Sequence, residues 1–230
     1  MMMEESSRSP QNPEDINFSI VTSIEYDGLE ELTAGVLEFS LDQLLQNGVL
    51  REFPVVGAIL ALGKTGASVR DFLFLRKVFR FLYQLRDVSL EKRIEFGNRI
   101  REDSEYRRKV GENLLLILEK LNAFSKADML GRVYKAHLTG NINTETLEKL
   151  VSAIERVNLH DLDRLRQFYV DDDENSREDE QLQNLAFAGL VCIQLGEVGL
   201  VGGVSGQFKQ CEIGRMFLKY AICDNHEGCA

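Results

Sequence analysis

Apolar side chains along this chain return most often at three- and four-residue steps, the spacing that lines one face of an α-helix. Leu29, Leu32, Val36, Phe39, Leu44 and Leu45 fall roughly on one side of a helix predicted from about Leu29 to Gln46, with Asn47-Gly48 as its stop signal. Pro54 suits a first helical turn, and Val55 to Val69 follows with Lys64 as its only charge. Gly57, Gly63 and Gly66 lower the helix propensity of that stretch and permit close backbone approach. From Arg70 to Leu85 the pattern is clearest. Phe72, Phe74, Leu75, Val78, Phe79, Phe81, Leu82 and Leu85 cover about half the circumference, and Arg70, Arg76, Lys77 and Arg80 share most of the remaining arc.

Further along, Ser89 is placed to cap a short helix through about Ile100, and Asp103 to cap a longer one through Leu121. Ser125 starts the next, which carries Leu130, Val133, Tyr134 and Leu138 and stops at Gly140. Asn143 or Thr144 opens another with Leu147, Leu150, Val151, Ile154 and Val157, followed by a short helix near His160 to Tyr169. Asp171 to Glu180 then holds seven acids in ten residues, a composition that reads as a solvated linker. Gln181 to Leu190 has helical spacing, Val191–Leu195 and Gly199–Phe208 combine glycine with β-branched residues, and Cys211 to Ile222 returns to helical spacing. The predicted fold class is mainly α: a helical bundle with a small C-terminal α+β module. Its expected divisions are a mobile acidic N-terminal segment 1–26, a bundle 27–170, an acidic linker 171–180, a module 181–223 and a tail 224–230.

Composition places the chain among ordinary globular proteins, with 44% apolar and 28% charged residues and no Trp. Lys and Arg number 27 against 37 Asp and Glu, a net charge of -10 that opposes non-specific attraction to nucleic acid. The distribution changes that picture: residues 1–63 carry a net -9, 64–109 a net +6 and 157–230 a net -7, so an acidic partner would meet the middle of the chain. Cys192, Cys211, Cys223 and Cys229 all fall in the last 39 residues, and Met1 to Asn12 holds no apolar run suited to a secretion signal. The expectation is a reduced, cytoplasmic protein.

Candidate chemistry is sparse. Gly63-Lys64-Thr65 has the residue types of a phosphate-binding loop, but Gly57 leaves five residues before Gly63 where that loop needs four, so small packing residues of a helix are the better reading. Cys223, His226 and Cys229, with Cys192 or Cys211 as a fourth ligand, have the donor types of a zinc site; against this stands a frayed, reduced terminus, and no metal is expected. His137 follows apolar helical positions as a partly buried core residue, and His160 sits at a helix start. Nothing assembles a nucleophile with a base, so no catalytic residue and no cofactor are expected.

The most informative stretch is Phe53 to Leu85. Its first part, Phe53 to Val69, has 17 residues and one Lys, short of the roughly 20 apolar residues that span a bilayer. Its second part is a basic amphipathic helix. One reading makes both the centre of the bundle. The other makes Arg70, Arg76, Lys77 and Arg80, with Phe72, Phe74, Phe79 and Phe81, a surface for a partner or an anionic membrane.

Ala188-Gly189-Leu190-Val191, then Phe208 through Gly214-Arg215 to Phe217-Leu218, resembles the end of many bacterial winged-helix modules, with Gln210 and Cys211 where a Leu and a Thr are usual. The likeness covers about 40 residues and implies a winged-helix-like module 181–223; the acidic balance there favours protein over DNA as its target. Pro54-Val55-Val56-Gly57 and the step Arg70-Asp71-x-Leu73-Phe74-Leu75-x-Lys77 resemble uncharacterised bacterial helical proteins, and the abortive-infection alpha type shows a similar winged tail. The resemblance implies a phage-defence or stress context and transfers no active-site residue. The leading expectation is a non-enzymatic regulatory or interaction protein whose partner is another protein or a second copy of itself. The alternative is a membrane-active effector, peripheral at the inner membrane face, that inserts segment 53–85 when triggered. Nucleic acid is the least expected partner.

Overall fold

Ser23 shows how the first helices are joined. It lies near the end of α1 (Pro13–Ile24), and its hydroxyl donates to the Ser19 carbonyl at 2.8 Å while accepting the Val55 N–H at 3.0 Å. Val55 sits in the first turn of α2 (Pro54–Leu62), where backbone N–H groups have no intrahelical partner, so a side chain of one helix caps the start of another. The computed structural model describes residues 13–38, 40, 48–62, 68–107, 110, 113–171, 179–198 and 204–222. The chain divides into two compact units, Met1–Gly131 and Arg132–Ala230.

In the first unit α1 packs closely on α2, and both meet α3 (Val69–Leu85), whose Leu75, Val78, Phe79, Phe81, Leu82 and Leu85 are buried. Phe53 stands edge-on to Phe79, with ring centroids 5.4 Å apart and planes at 82°. Helix α4 (Leu90–Glu102) is fastened by Arg93, a fully buried arginine. Its guanidinium donates to the carbonyls of Val88 (2.9 Å), Ile24 (3.0 Å) and Tyr26 (2.6 Å) and to Glu30 (3.3 Å), which satisfies the charge and ties α4 to the end of α1. Helix α5 (Leu114–Lys120) lies against α3, and the unit ends within α6 (Phe124–Leu138).

The second unit continues from that helix into α7 (Thr144–Arg156), α8 (Leu162–Asp171) and α9 (Glu180–Phe187). Asn143 caps α7, its side-chain oxygen accepting the Thr146 N–H at 2.8 Å. Strands β1 (Val191–Val198) and β2 (Val204–Gln210) then form a two-stranded antiparallel sheet, with Val191 opposite Gln210, Cys192 opposite Lys209 and Ile193 opposite Phe208. Helix α10 (Glu212–Phe217) follows at once. The chain is thus mainly helical with one small sheet near its C-terminal end, the class that the periodicity predicts. Among the described residues no helix is long and apolar enough to cross a membrane.

Three predicted segments differ. The N-terminal segment expected to be mobile contributes α1, because Ile20, Val21 and Ile24 give it a face that is buried. The predicted helix from Leu29 to Gln46 is replaced over its described part by two short 3-10 turns, Asp27–Glu31 and Ala34–Leu37, since buried Leu29 and Leu32 are held by turns rather than by a continuous helical stripe. Asp103 does cap, accepting from the N–H groups of Glu105 (2.9 Å) and Tyr106 (3.0 Å), but the helix does not run unbroken to Leu121: Asn113 is a turn and α5 starts at Leu114, with residues 108, 109, 111 and 112 outside the described residues. The division between compact units falls at Gly131–Arg132, whereas the sequence suggested 171–180; residues 172–178 of that acidic run lie outside the described residues. So do Gly63, Lys64 and Thr65 and the tail with Cys223, His226 and Cys229.

Candidate interaction surface

Helix α3 starts at a reciprocal cap. The Ser68 hydroxyl accepts the Asp71 N–H at 3.1 Å, and the Asp71 carboxylate accepts the Ser68 N–H at 3.0 Å and the Ser68 hydroxyl at 2.7 Å. Those hydrogen bonds from Ser68 hold the Asp71 carboxyl below its ordinary range. From this fixed start the helix runs beside α5 and the start of α6, and its four predicted cations all meet residues of that stretch.

Arg70 pairs with Glu119 and remains exposed, with 82% of its side chain open to solvent. The Lys77 ammonium donates to the carbonyls of Leu118 (3.1 Å), Glu119 (2.8 Å) and Leu121 (2.6 Å), so it caps the C-terminal end of α5, where carbonyls lack helical partners and a cation is favoured. Desolvation pulls the Lys77 ammonium below the ordinary lysine range, and Glu119 opposes this. The Arg76 guanidinium stacks on Phe124, 4.6 Å from the ring centroid, and donates to the Leu37 carbonyl at 3.1 Å. Its buried Nε has no partner among the described residues. Arg80 grips Asp128 through Nε, 3.2 and 3.0 Å from the two carboxylate oxygens, and Nη2 at 2.9 Å.

Of the predicted surface, Phe79 and Phe81 are 0% exposed and belong to the core. Phe72 and Phe74 are half-buried. Arg76, Lys77 and Arg80 do not form an open basic arc, because their partners at 118–128 cover that side of the helix. Alongside the exposed Arg70 and Lys120, aliphatic side chains remain open. Val69 and Leu73, one helical turn apart on α3, are 71% and 41% exposed, and Leu116 on α5 is 50% exposed. All three line one groove of about 1130 Å³ whose walls also include Ile59, Phe74 and Phe124. Leu73 belongs to the Arg70–Lys77 step singled out by resemblance, whereas Val69 and Leu116 carry no local signal of exposure, since an aliphatic residue at helical spacing reads as core.

The other two histidines-at-helix readings and the free thiols fall in the second unit. His137 is half-buried, with Nδ1 3.1 Å from the Ile142 carbonyl, and His160 is exposed in the 3-10 turn before α8. Cys192 is exposed and Cys211 half-buried, both as free thiols. Among the described residues, no group of three or more His, Cys, Asp or Glu side chains is placed to hold a metal ion. Comparison with protein-family models, curated proteins and solved structures finds no match to the chain.

Proposed function

We propose that the chain is a non-enzymatic interaction protein that binds a protein partner through the α3–α5 groove. The observation that carries this reading is the gathering of three exposed aliphatic side chains, Val69, Leu73 and Leu116, in one groove, while Arg76, Lys77 and Arg80 of the same helix are engaged within the molecule. An exposed apolar cleft of this kind favours a partner that buries it. The bacterial phage-defence or stress setting rests on the resemblance of the Pro54–Lys77 stretch and of the helix–hairpin–helix tail, and a cytoplasmic, protein-binding winged-helix-like role for residues 181–223 belongs to the same reading.

The test replaces Leu73 and Leu116 together by Asp. Both are open to solvent, so the far-ultraviolet circular dichroism and melting of the variant should stay close to those of the unmodified chain. Proteins captured by the unmodified chain in bacterial extract, or its own dimer in solution, should be lost from the variant. Equal capture by both overturns the groove. Flotation with anionic vesicles separates this reading from the membrane effector: salt-resistant flotation that the double substitution abolishes would make lipid the occupant.

A further inference from the structure

The open end of the β1–β2 hairpin is held by one hydroxyl. Tyr169, near the end of α8, donates to the Leu190 carbonyl at 2.7 Å and accepts the Cys211 N–H at 2.9 Å; its oxygen also lies 3.1 Å from the Cys211 carbonyl and 3.6 Å from Cys211 Sγ. Leu190 and Cys211 are the next opposed positions after Val191 and Gln210, so the hydroxyl clamps the two chains where the ladder ends. Gly214 makes room for it: a Cβ there would collide with the Tyr169 hydroxyl and the Leu190 carbonyl.

The clamp also fixes two thiols. Cys192 opposes Lys209, and Cys211 lies two residues beyond Lys209 in extended backbone (φ -125°, ψ 160°), so Cys192 and Cys211 are diagonal neighbours on one face of the hairpin. Burial of the sulfur, and after it the charge and hydrogen bonding of Cys211, raise the Cys192 thiol above its ordinary range, as adjoining thiols do. Cys192 is exposed and Cys211 is half-buried.

We propose that Cys192 and Cys211 are a modification site: a dithiol that closes to an intramolecular disulfide on reaction with oxidised glutathione. The exposed Cys192, as thiolate, attacks one sulfur of glutathione disulfide, forming a mixed disulfide and releasing one glutathione thiolate. Cys211 loses its proton, attacks the Cys192 sulfur and displaces the second glutathione. Both protons leave with the two glutathione molecules, and the two electrons from the protein thiols reduce the glutathione disulfide. The bond staples the start of β1 to the start of α10 beside the Tyr169 clamp.

Trypsin makes the test direct, because Cys192 falls in peptide 178–209, Cys211 in 210–215, and Cys223 and Cys229 together in 220–230. The full chain is incubated with oxidised glutathione, remaining thiols are capped with N-ethylmaleimide, and the digest is read by mass spectrometry. The 178–209/210–215 cross-link should form about tenfold or more in excess over the same chain unfolded in urea, because the folded hairpin supplies the effective concentration. It should persist when Cys223 and Cys229 are both replaced by Ser and vanish in Cys192→Ser. Equal yields with and without urea overturn the proposal. So does glutathione left on Cys192 with Cys211 capped by the maleimide, or oxidation confined to peptide 220–230.

Discussion

Lys77 has three N–H donors and three carbonyl partners, in Leu118, Glu119 and Leu121. Lys77→Met keeps the aliphatic stem and removes every one of those hydrogen bonds, leaving the end of α5 uncapped. Chemical denaturation should show a loss of about 1–3 kcal/mol, the range for leaving partly buried acceptors unsatisfied. The residues that carry this contact could be read only in part. Lys77 stood out in sequence as one of four cations on a helix, yet its partners lie more than forty positions away, and a carbonyl leaves no trace in composition. Arg93 is a plainer case: a charged residue in a polar stretch gives no hint that it will be fully buried, because its burial depends on carbonyls of Ile24 and Tyr26 that converge only in the folded chain.

At the scale of elements, periodicity read α3, α6 and α7 closely, because each carries enough apolar positions at helical spacing to bury a face. It overreached at Leu29–Gln46, where the described residues bury Leu29 and Leu32 through short turns, and it missed α1, which buries Ile20, Val21 and Ile24. The start of α3 had a local signal that went unread: Ser68 and Asp71 stand three apart, with Asp in place of the commoner Glu. Ser68→Ala should lower stability by about 1 kcal/mol. Because hydrogen bonding from Ser68 depresses the Asp71 pKa in the folded state, the contribution of this carboxylate is present above the ordinary carboxyl range and is lost as pH falls through its depressed value. Protection factors of the amides in the first turn of α3, taken relative to the intrinsic exchange rate at each pH, should therefore fall on acidification, and Asp71→Asn should flatten that dependence.

For the molecule as a whole, segment charge proves a poor guide to what is on offer at the surface. The basic stretch 64–109 suggests a cationic face, yet Arg76, Lys77 and Arg80 serve Leu37, Phe124, the end of α5 and Asp128. Reversing all three to Glu should do more than change a binding surface. It sets new carboxylates against Glu119 and Asp128, and melting and denaturant midpoints should fall by the equivalent of roughly 3 kcal/mol or more, as when one side of a largely desolvated pair is removed. A variant with an unchanged melting curve would show that these cations are free. The partners of α3 have a further consequence for how this chain can vary. Because Glu119, Leu121, Phe124 and Asp128 meet Arg70, Lys77, Arg76 and Arg80 along one helix, the stretch from 118 to 128 works as a ruler. Its side chains can be exchanged one at a time at a local cost, but a single inserted or deleted residue puts the positions after it out of step, so a change of length there should cost more than any one substitution.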